Sequence, residues 1–284
     1  MARADALLAR AAPAGLDLLV LPEMAFTGAR PPPPRRRTAL TRGAGYNFAG
    51  AGEIAPHLEA TAAGASTAWA RAAAARLRCA VVVGYPERAA GGARYNAAVL
   101  VGAAGDVRAH YRKHFLYATD EAWAAPGAAG FFAGELAGRR LAIGICARPP
   151  PVARARPPLT AAGMDLNPHR FAAPFDAYEF GTHVVAARAT LAVVPMNWLA
   201  GGGAGAAAEP EEDTLRYWAQ RMLPAVARAA PSVLVACNRV GVERGVAFAG
   251  SSAVLGLGGG RVRVYGAAGR GTEELLVCDV PDAA

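Results

Sequence analysis

Leu141-Ala142-Ile143-Gly144-Ile145-Cys146 is an apolar run that ends on a cysteine, and the text behind it, Ala147 to Gly163, does not match its surroundings. A short run of this kind, rich in aliphatic side chains, reads as a buried strand. With those seventeen residues removed, the chain continues Gly144-Ile145-Cys146-Met164-Asp165-Leu166-Asn167-Pro168. That is a strand delivering a cysteine straight into a turn, since Asp, Asn and Pro are turn formers.

A second interruption has the same form. Ala29 to Gly45, again seventeen residues, separates Leu21-Pro22-Glu23-Met24-Ala25-Phe26-Thr27-Gly28 from Tyr46-Asn47-Phe48. Both interruptions open Ala-Arg-Pro-Pro-Pro, both carry Leu-Thr near the end (Leu40-Thr41 and Leu159-Thr160), and both finish Ala-Gly. Two unrelated loops rarely agree in this way. A translated, unspliced intron explains the agreement: a Gly or Cys codon ending in GT, followed by Ala and Arg codons, supplies one donor sequence in both places. Ala-Gly hides a terminal AG, and Leu-Thr can be read from a branch site. Sequencing the cDNA decides between this reading and the alternative of two Pro/Arg-rich surface loops.

The interruptions also account for the charge. They contain Arg30, Arg35, Arg36, Arg37, Arg42, Arg148, Arg154 and Arg156 and no acid, and these eight charges equal the whole formal excess of +8. A sequence pI near 9.8 ordinarily points to nucleic acid or a membrane surface. Here the remainder of the chain is neutral, so neither partner is expected. An apolar fraction of 54% over 284 residues fits one domain, 1–284, broken only by segments 29–45 and 147–163. Cys79, Cys146, Cys237 and Cys278 show no metal-ligand spacing, and such sparse use suggests a reducing, intracellular and cytoplasmic setting. No apolar run approaches membrane-spanning length. Met1 to Ala12 superficially resembles a transit peptide, but Asp5 interrupts it and Leu7, Leu8 and Ala11 fall at helical spacing, so a first helix is the preferred reading.

Along the chain, strands are expected at 18–21, 80–85, 141–146, 191–194, 232–238, 251–257, 261–265 and 273–279, with a hairpin from Tyr95 to Tyr111. Helices are expected at 66–77, 178–190 and 214–229, the last containing Pro224. Gly201 to Glu212 reads as a connecting loop. Alternating helices and strands with hairpins imply mixed sheets layered with helices.

Three side chains stand at strand ends: Glu23 after Pro22, Lys113 in Tyr111-Arg112-Lys113-His114, and Cys146. Each has a bland alternative, respectively a surface carboxylate, a solvated charge run and a small inert core thiol. Together they form a set suited to amide hydrolysis. A thiol attacks only as thiolate, so a carboxylate must take its proton while a cation lowers its pKa. The ammonium, with a backbone N–H, also faces the oxygen that becomes negative in the tetrahedral intermediate. The carboxylate then returns the proton to the leaving amine and activates water against the thioester. This chemistry requires no metal and no organic cofactor.

Leu21-Pro22-Glu23, Tyr111-Arg112-Lys113 and Gly144-Ile145-Cys146 resemble the motifs of the nitrilase, or carbon-nitrogen hydrolase, superfamily, whose members use a Glu-Lys-Cys triad. Glu121 in Asp120-Glu121-Ala122-Trp123 is similar to a second glutamate that in that family helps hold the lysine and substrate. Cys146-Met164-Asp165-Leu166-Asn167-Pro168, Tyr178-Glu179-Phe180 and Pro195-Met196-Asn197-Trp198-Leu199 look like the fungal-type protein N-terminal asparagine amidohydrolases. The resemblance extends over nearly everything outside the two interruptions. It implies an α/β four-layer α-β-β-α sandwich of nitrilase type with mixed sheets, here lacking its first strand, and a homo-oligomer as a common form. It further implies hydrolysis of the side-chain amide of a protein N-terminal Asn, and of Gln, to Asp or Glu plus ammonia, feeding an N-degron pathway. In this frame Asp165 and Asn167 are candidates to contact the substrate's amino group, against a turn-forming role. Tyr46, Asn47 and Trp198 are candidates to line the pocket, against ordinary packing. One departure is serious: the residue after the nucleophile should give its N–H to the oxyanion, yet Ala147 leads into Arg148 and three prolines. Two alternatives follow, a small-molecule amidase or carbamoylase of the same superfamily, and an inactive, binding-only chain.

Overall fold

A computed structural model describes residues 1–11, 15–27, 48, 50–148, 165–200 and 208–281. Segment 29–45 and residues Tyr46 and Asn47 lie outside the described residues, as does all of segment 147–163 except the backbone of Ala147 and Arg148.

Two mixed sheets stack face to face. The first takes its strands from the N-terminal half: β1 (Leu18–Val20), β2 (Glu59–Ala60), β3 (Ala80–Arg88), β4 (Arg94–Val101) and β5 (Val107–Arg112), in the order β1-β3-β4-β5 with β2 also on β3. The second contains β6 (Phe132–Leu136), β7 (Arg139–Ile143), β8 (Cys146–Arg148), β9 (Leu191–Trp198) and β10 (Ser232–Asn238). After the small β11 (Val242–Glu243) and β12 (Val246–Ala247) hairpin, β13 (Ala253–Gly258) and β14 (Arg261–Ala267) complete it in the order β14-β13-β10-β9-β7-β6, with β8 on β9. Pairs β1/β3, β7/β9, β8/β9 and β9/β10 are parallel and the hairpin pairs antiparallel.

Three apolar layers follow from the two-residue alternation of the strands. Ala80, Val82, Ala98 and Leu100 meet Leu141, Ile143, Leu191, Val193 and Val233 between the sheets. The opposite face of the first sheet, with Val81, Val83, Val99 and Val101, packs on Leu8 of α1 (Ala2–Ala11) and on Trp69, Ala70, Ala73 and Ala74. These last four lie one helical turn apart in α3 (Ala65–Leu77), which follows the short α2 (Ala51–Ile54), so one stripe of α3 is apolar and small enough to lie close. The outer face of the second sheet, with Ala192, Val194, Met196, Trp198 and Leu234, packs on Phe180, Val184, Trp218 and Met222. Phe180 and Val184 belong to α5 (Glu179–Ala186), Trp218 to α6 (Glu212–Arg221), and Met222 leads into α7 (Leu223–Ala227). The four-layer α-β-β-α order is therefore the observed one.

Two expectations are corrected. The helix expected over 214–229 is two helices meeting at Met222, because Pro224 has no N–H to give and sits in the first turn of α7, where none is needed. Residues 273–279 form no strand: Leu275 packs beside the outer layer and Val280 between the sheets, but among the described residues they have no ladder partner. Among the described residues β1 lies at the edge of its sheet, with β3 as its partner.

Candidate active site

β1, β5 and β8 bring Glu23, Lys113 and Cys146 to one end of the sandwich. Glu23 opens the turn after β1, and Met24 behind it takes a left-handed φ of 47°. The turn lies so close to β3 that a Cβ on Gly84 would stand 2.8 Å from Glu23 Cα and from Met24 N, so glycine is required there. The guanidinium of Arg239, just past β10, donates to the Met24 carbonyl and fixes the turn from the other sheet.

Lys113 is completely buried and sits between two carboxylates, with Nζ 2.8 Å from Glu23 Oε1 and 2.7 Å from Asp120 Oδ2. Asn96 of β4 ties these together: its Nδ2 donates to Glu23 Oε1 at 2.5 Å and to Asp120 Oδ1 at 3.2 Å, while its backbone carbonyl accepts from Lys113 N at 2.8 Å. Burial works against the Lys113 ammonium, but Asp120 and Glu23 outweigh it and hold its pKa above the ordinary value. Burial raises the Glu23 carboxyl from 4.5 to about 7, the nearby ammonium pulling it down and Asp120 pushing it up. A carboxyl in that range can both take and return a proton at neutral pH.

Asp120, and not the expected Glu121, is the second acid paired with Lys113. In the helical turn α4 (Ala118–Glu121) the inward position belongs to Asp120, whose Oδ2 also accepts from Tyr117 N at 3.0 Å. The Glu121 side chain is 42% exposed, with its nearest cation Arg170 at 3.9 Å. It borders a cavity of about 320 Å³ with His114, His169 and Arg170. One residue decides which acid faces inward, and spacing from Lys113 alone does not resolve it. Asn96 carried a signal that the sequence reading passed over: a lone amide in the buried run Ala97-Ala98-Val99-Leu100-Val101 must find polar partners.

Cys146 is buried, and its Sγ accepts from Asn167 Nδ2 at 3.4 Å and from the Leu166 N–H. Burial pushes the thiol above its ordinary value, against the pull of the Leu166 N–H and the Lys113 ammonium. Asn167 is held in turn by Tyr217, whose hydroxyl donates to Oδ1 at 2.6 Å.

Asp165 is turned toward the frame. Its carboxylate accepts from Tyr111 Oη at 2.6 Å, Ile145 N at 2.7 Å and Phe115 N at 2.9 Å. Those donors come from β5, the residue before Cys146 and the loop after Lys113, so Asp165 braces the segments that carry Lys113 and Cys146 and its carboxylate is already engaged. Trp198 is fully buried, edge-on to Trp218 at 5.8 Å and tilted against Tyr217 at 5.2 Å. Its backbone is gripped by Asn238, which accepts from Trp198 N at 2.7 Å and donates to Trp198 O at 3.1 Å.

The two flanks of segment 147–163 meet here. Asp165 N donates to Ile145 O at 3.3 Å, so the chain returns at 165 to the point it left at 146. In between, β8 runs on as a strand, Cys146 paired with Met196, Ala147 with Asn197 and Arg148 with Trp198.

The carbon-nitrogen hydrolase family profile matches residues 1–148. A protein N-terminal amidase of Schizosaccharomyces pombe is 27% identical over 268 residues, covering 88% of this chain and 82% of that protein. Crystal structures of N-terminal amidase with an Asn-Glu-Ala peptide and with a Gln-Val peptide superpose with TM-scores of 0.77 and 0.76 at 19% identity, covering 96% and 95% of this chain and 91% of theirs. With its family profile spanning more than half the sequence on a matching fold, the chain belongs to the carbon-nitrogen hydrolase family.

Proposed function

We propose that this protein is a cysteine amidohydrolase that converts the side-chain amide of a protein N-terminal Asn or Gln to the acid and ammonia, producing N-termini for an N-degron pathway. The observation that carries the reading is the buried network in which Glu23, Asp120 and Asn96 hold Lys113 at the end of the sandwich where Cys146 emerges. Cys146 Sγ attacks the amide carbon as Glu23 takes its proton, and Lys113 faces the oxygen as it gains charge. Glu23 gives that proton to the departing nitrogen, and ammonia leaves. A water, deprotonated by Glu23, then cleaves the thioester and restores the thiol. Protein or peptide N-termini are the substrates, as the peptide-bound N-terminal amidase structures suggest.

The run of β8 past Cys146 supports a second reading, a chain that binds the same N-termini without turnover. Ammonia release is measured from Asn- and Gln-initiated peptides, from their N-acetylated forms and from small free amides. Turnover confined to free N-termini is the expected result; turnover of small amides but not of peptides overturns the proposal.

A further inference from the structure

Among the described residues, one buried amide beside this site has no hydrogen-bond partner on its side chain. Asn197 is completely buried, and neither its Oδ1 nor its Nδ2 has a hydrogen-bond partner. Buried side-chain amides are ordinarily paired, because leaving one unpaired costs stability with no return.

Strand alternation fixes the direction in which it points. Leu191 and Val193 of β9 face the layer between the sheets, whereas Ala192, Val194, Met196 and Trp198 face the helices. Asn197 has the parity of the first set and so faces the first sheet. On β10, Cys237 pairs with Pro195, and its Sγ reaches across to Val20 O of β1 at 3.2 Å. Two positions further along β9, about 6.6 Å at ordinary strand rise, Asn197 is level with Arg239, which follows the Asn238–Met196 pair and donates to the Met24 carbonyl in the turn after β1. In the parallel register of β8, Asn197 also stands one position beyond the partner of Cys146. Among the described residues Glu23 Oε2 likewise has no hydrogen-bond partner.

Resting on the proposed function, we infer that Asn197 reads the head of the substrate: Oδ1 accepts from the free α-ammonium and Nδ2 donates to the first peptide carbonyl. An amide side chain is the one neutral group that offers an acceptor and donors from a single fork, and a chain N-terminus presents the complementary pair. Asn197 is thus a specificity residue, distinct from the groups that act on the scissile amide.

The test uses the full chain with Cys146→Ala, so that peptide stays intact, and compares it with the same protein carrying Asn197→Leu or Asn197→Asp. Binding of Asn-Gly amide and N-acetyl-Asn-Gly amide is read by calorimetry, and stability by thermal unfolding. The parent is expected to bind only the free-amine peptide. Asn197→Leu is expected to weaken that binding about 10–100-fold, the loss of hydrogen bonds to a charged group, while raising Tm because the unpaired amide is gone. Asn197→Asp, which keeps an acceptor for the ammonium, is expected to retain more affinity than the leucine variant. Unchanged affinity in Asn197→Leu, a fall in its Tm or its failure to fold overturns the inference. A parent that binds neither peptide, or both equally, overturns the proposed function and the inference with it.

Discussion

Deleting residues 147–163, so that Cys146 joins Met164, tests how the chemistry depends on the second interruption. In the shortened chain Ile145, Cys146, Met164 and Asp165 become consecutive. The Asp165 N to Ile145 O contact of 3.3 Å then becomes the hydrogen bond that closes a four-residue turn, with the nucleophile at a central position. In the present chain the residue after Cys146 is Ala147, whose backbone lies in a strand pair with Asn197. Losing one oxyanion donor costs about 10²–10³ in rate, so the deletion is expected to raise kcat for Asn-peptide hydrolysis at least about 100-fold. It also shortens the loop between Ile145 and Asp165 from about twenty residues to two, worth on the order of 2 kcal/mol of closure entropy. For a domain of this size that is a Tm gain of about 4–8 °C. Ammonia release by coupled assay and thermal unfolding of both chains check the two figures. Equal kcat, with a Tm that falls on deletion, would show that the segment belongs to the working fold and sink the argument.

The remaining predictions concern the buried acids. Glu23 acts as a base only when ionised, and its pKa is raised to about 7. Hence kcat/KM is expected to rise tenfold per pH unit below about 7 and to level off above it; a limb near pH 4.5 would contradict the raised value. Asp120 is one of the groups that raises Glu23, so Asp120→Asn is expected to lower kcat/KM and to move that limb to lower pH. Glu121→Gln, at the exposed position beside it, should leave kcat/KM within about twofold, as expected of a surface change. Glu87 is buried against Arg112, His110 and Thr61, and despite its burial its pKa is held down to about 2. A depressed acid contributes stability above its unfolded value of 4.5 and loses it as pH falls toward about 2. Glu87→Gln is therefore expected to be less stable at neutral pH and to lose less between those limits, measured by urea unfolding at each pH.

The layers were legible in the chain because they rest on periodicity. Val81 to Val83 and Leu191 to Val194 are buried on both faces and read as continuous apolar runs, while the stripe Trp69, Ala70, Ala73 and Ala74 has helical spacing. Glu23 and Cys146 stand out because each ends an apolar run, where a polar side chain needs a reason, whereas Lys113 follows the polar strand Val107–Arg112 and joins them only through the chemistry the three share. Asp120 was missed in favour of Glu121 because a single helical turn carries too little pattern to say which neighbour faces in. The amide of Asn96 beside an apolar run signals that it needs partners, but which partners, like those of Tyr217, depends on contacts 73 and 50 residues away, to Glu23 and Asn167, which no local pattern encodes. The strand expected at 273–279 failed for the opposite reason: its composition is strand-like, but a strand exists only with a ladder partner.

The same contacts bear on how the scaffold accommodates the segment 147–163 beside Cys146. The Asp165 carboxylate holds Ile145 N from one side of the gap, and the Asp165 N–H holds Ile145 O, so both ends of the interruption are tied to each other. Tyr111 and Phe115 tie the same carboxylate to the two segments that flank Lys113. Burial of that carboxylate raises its pKa, and the three donors oppose the rise, which is the arrangement expected of a bracing charge. The relative positions of strand end, lysine and asparagine turn are therefore set by residues outside 147–163. What the brace does not set is the path of the chain immediately after Cys146, which follows β9 instead of turning back. On the proposed chemistry, the frame around Cys146 is thus set apart from segment 147–163, while the N–H expected to serve the oxyanion depends on the backbone step at Ala147.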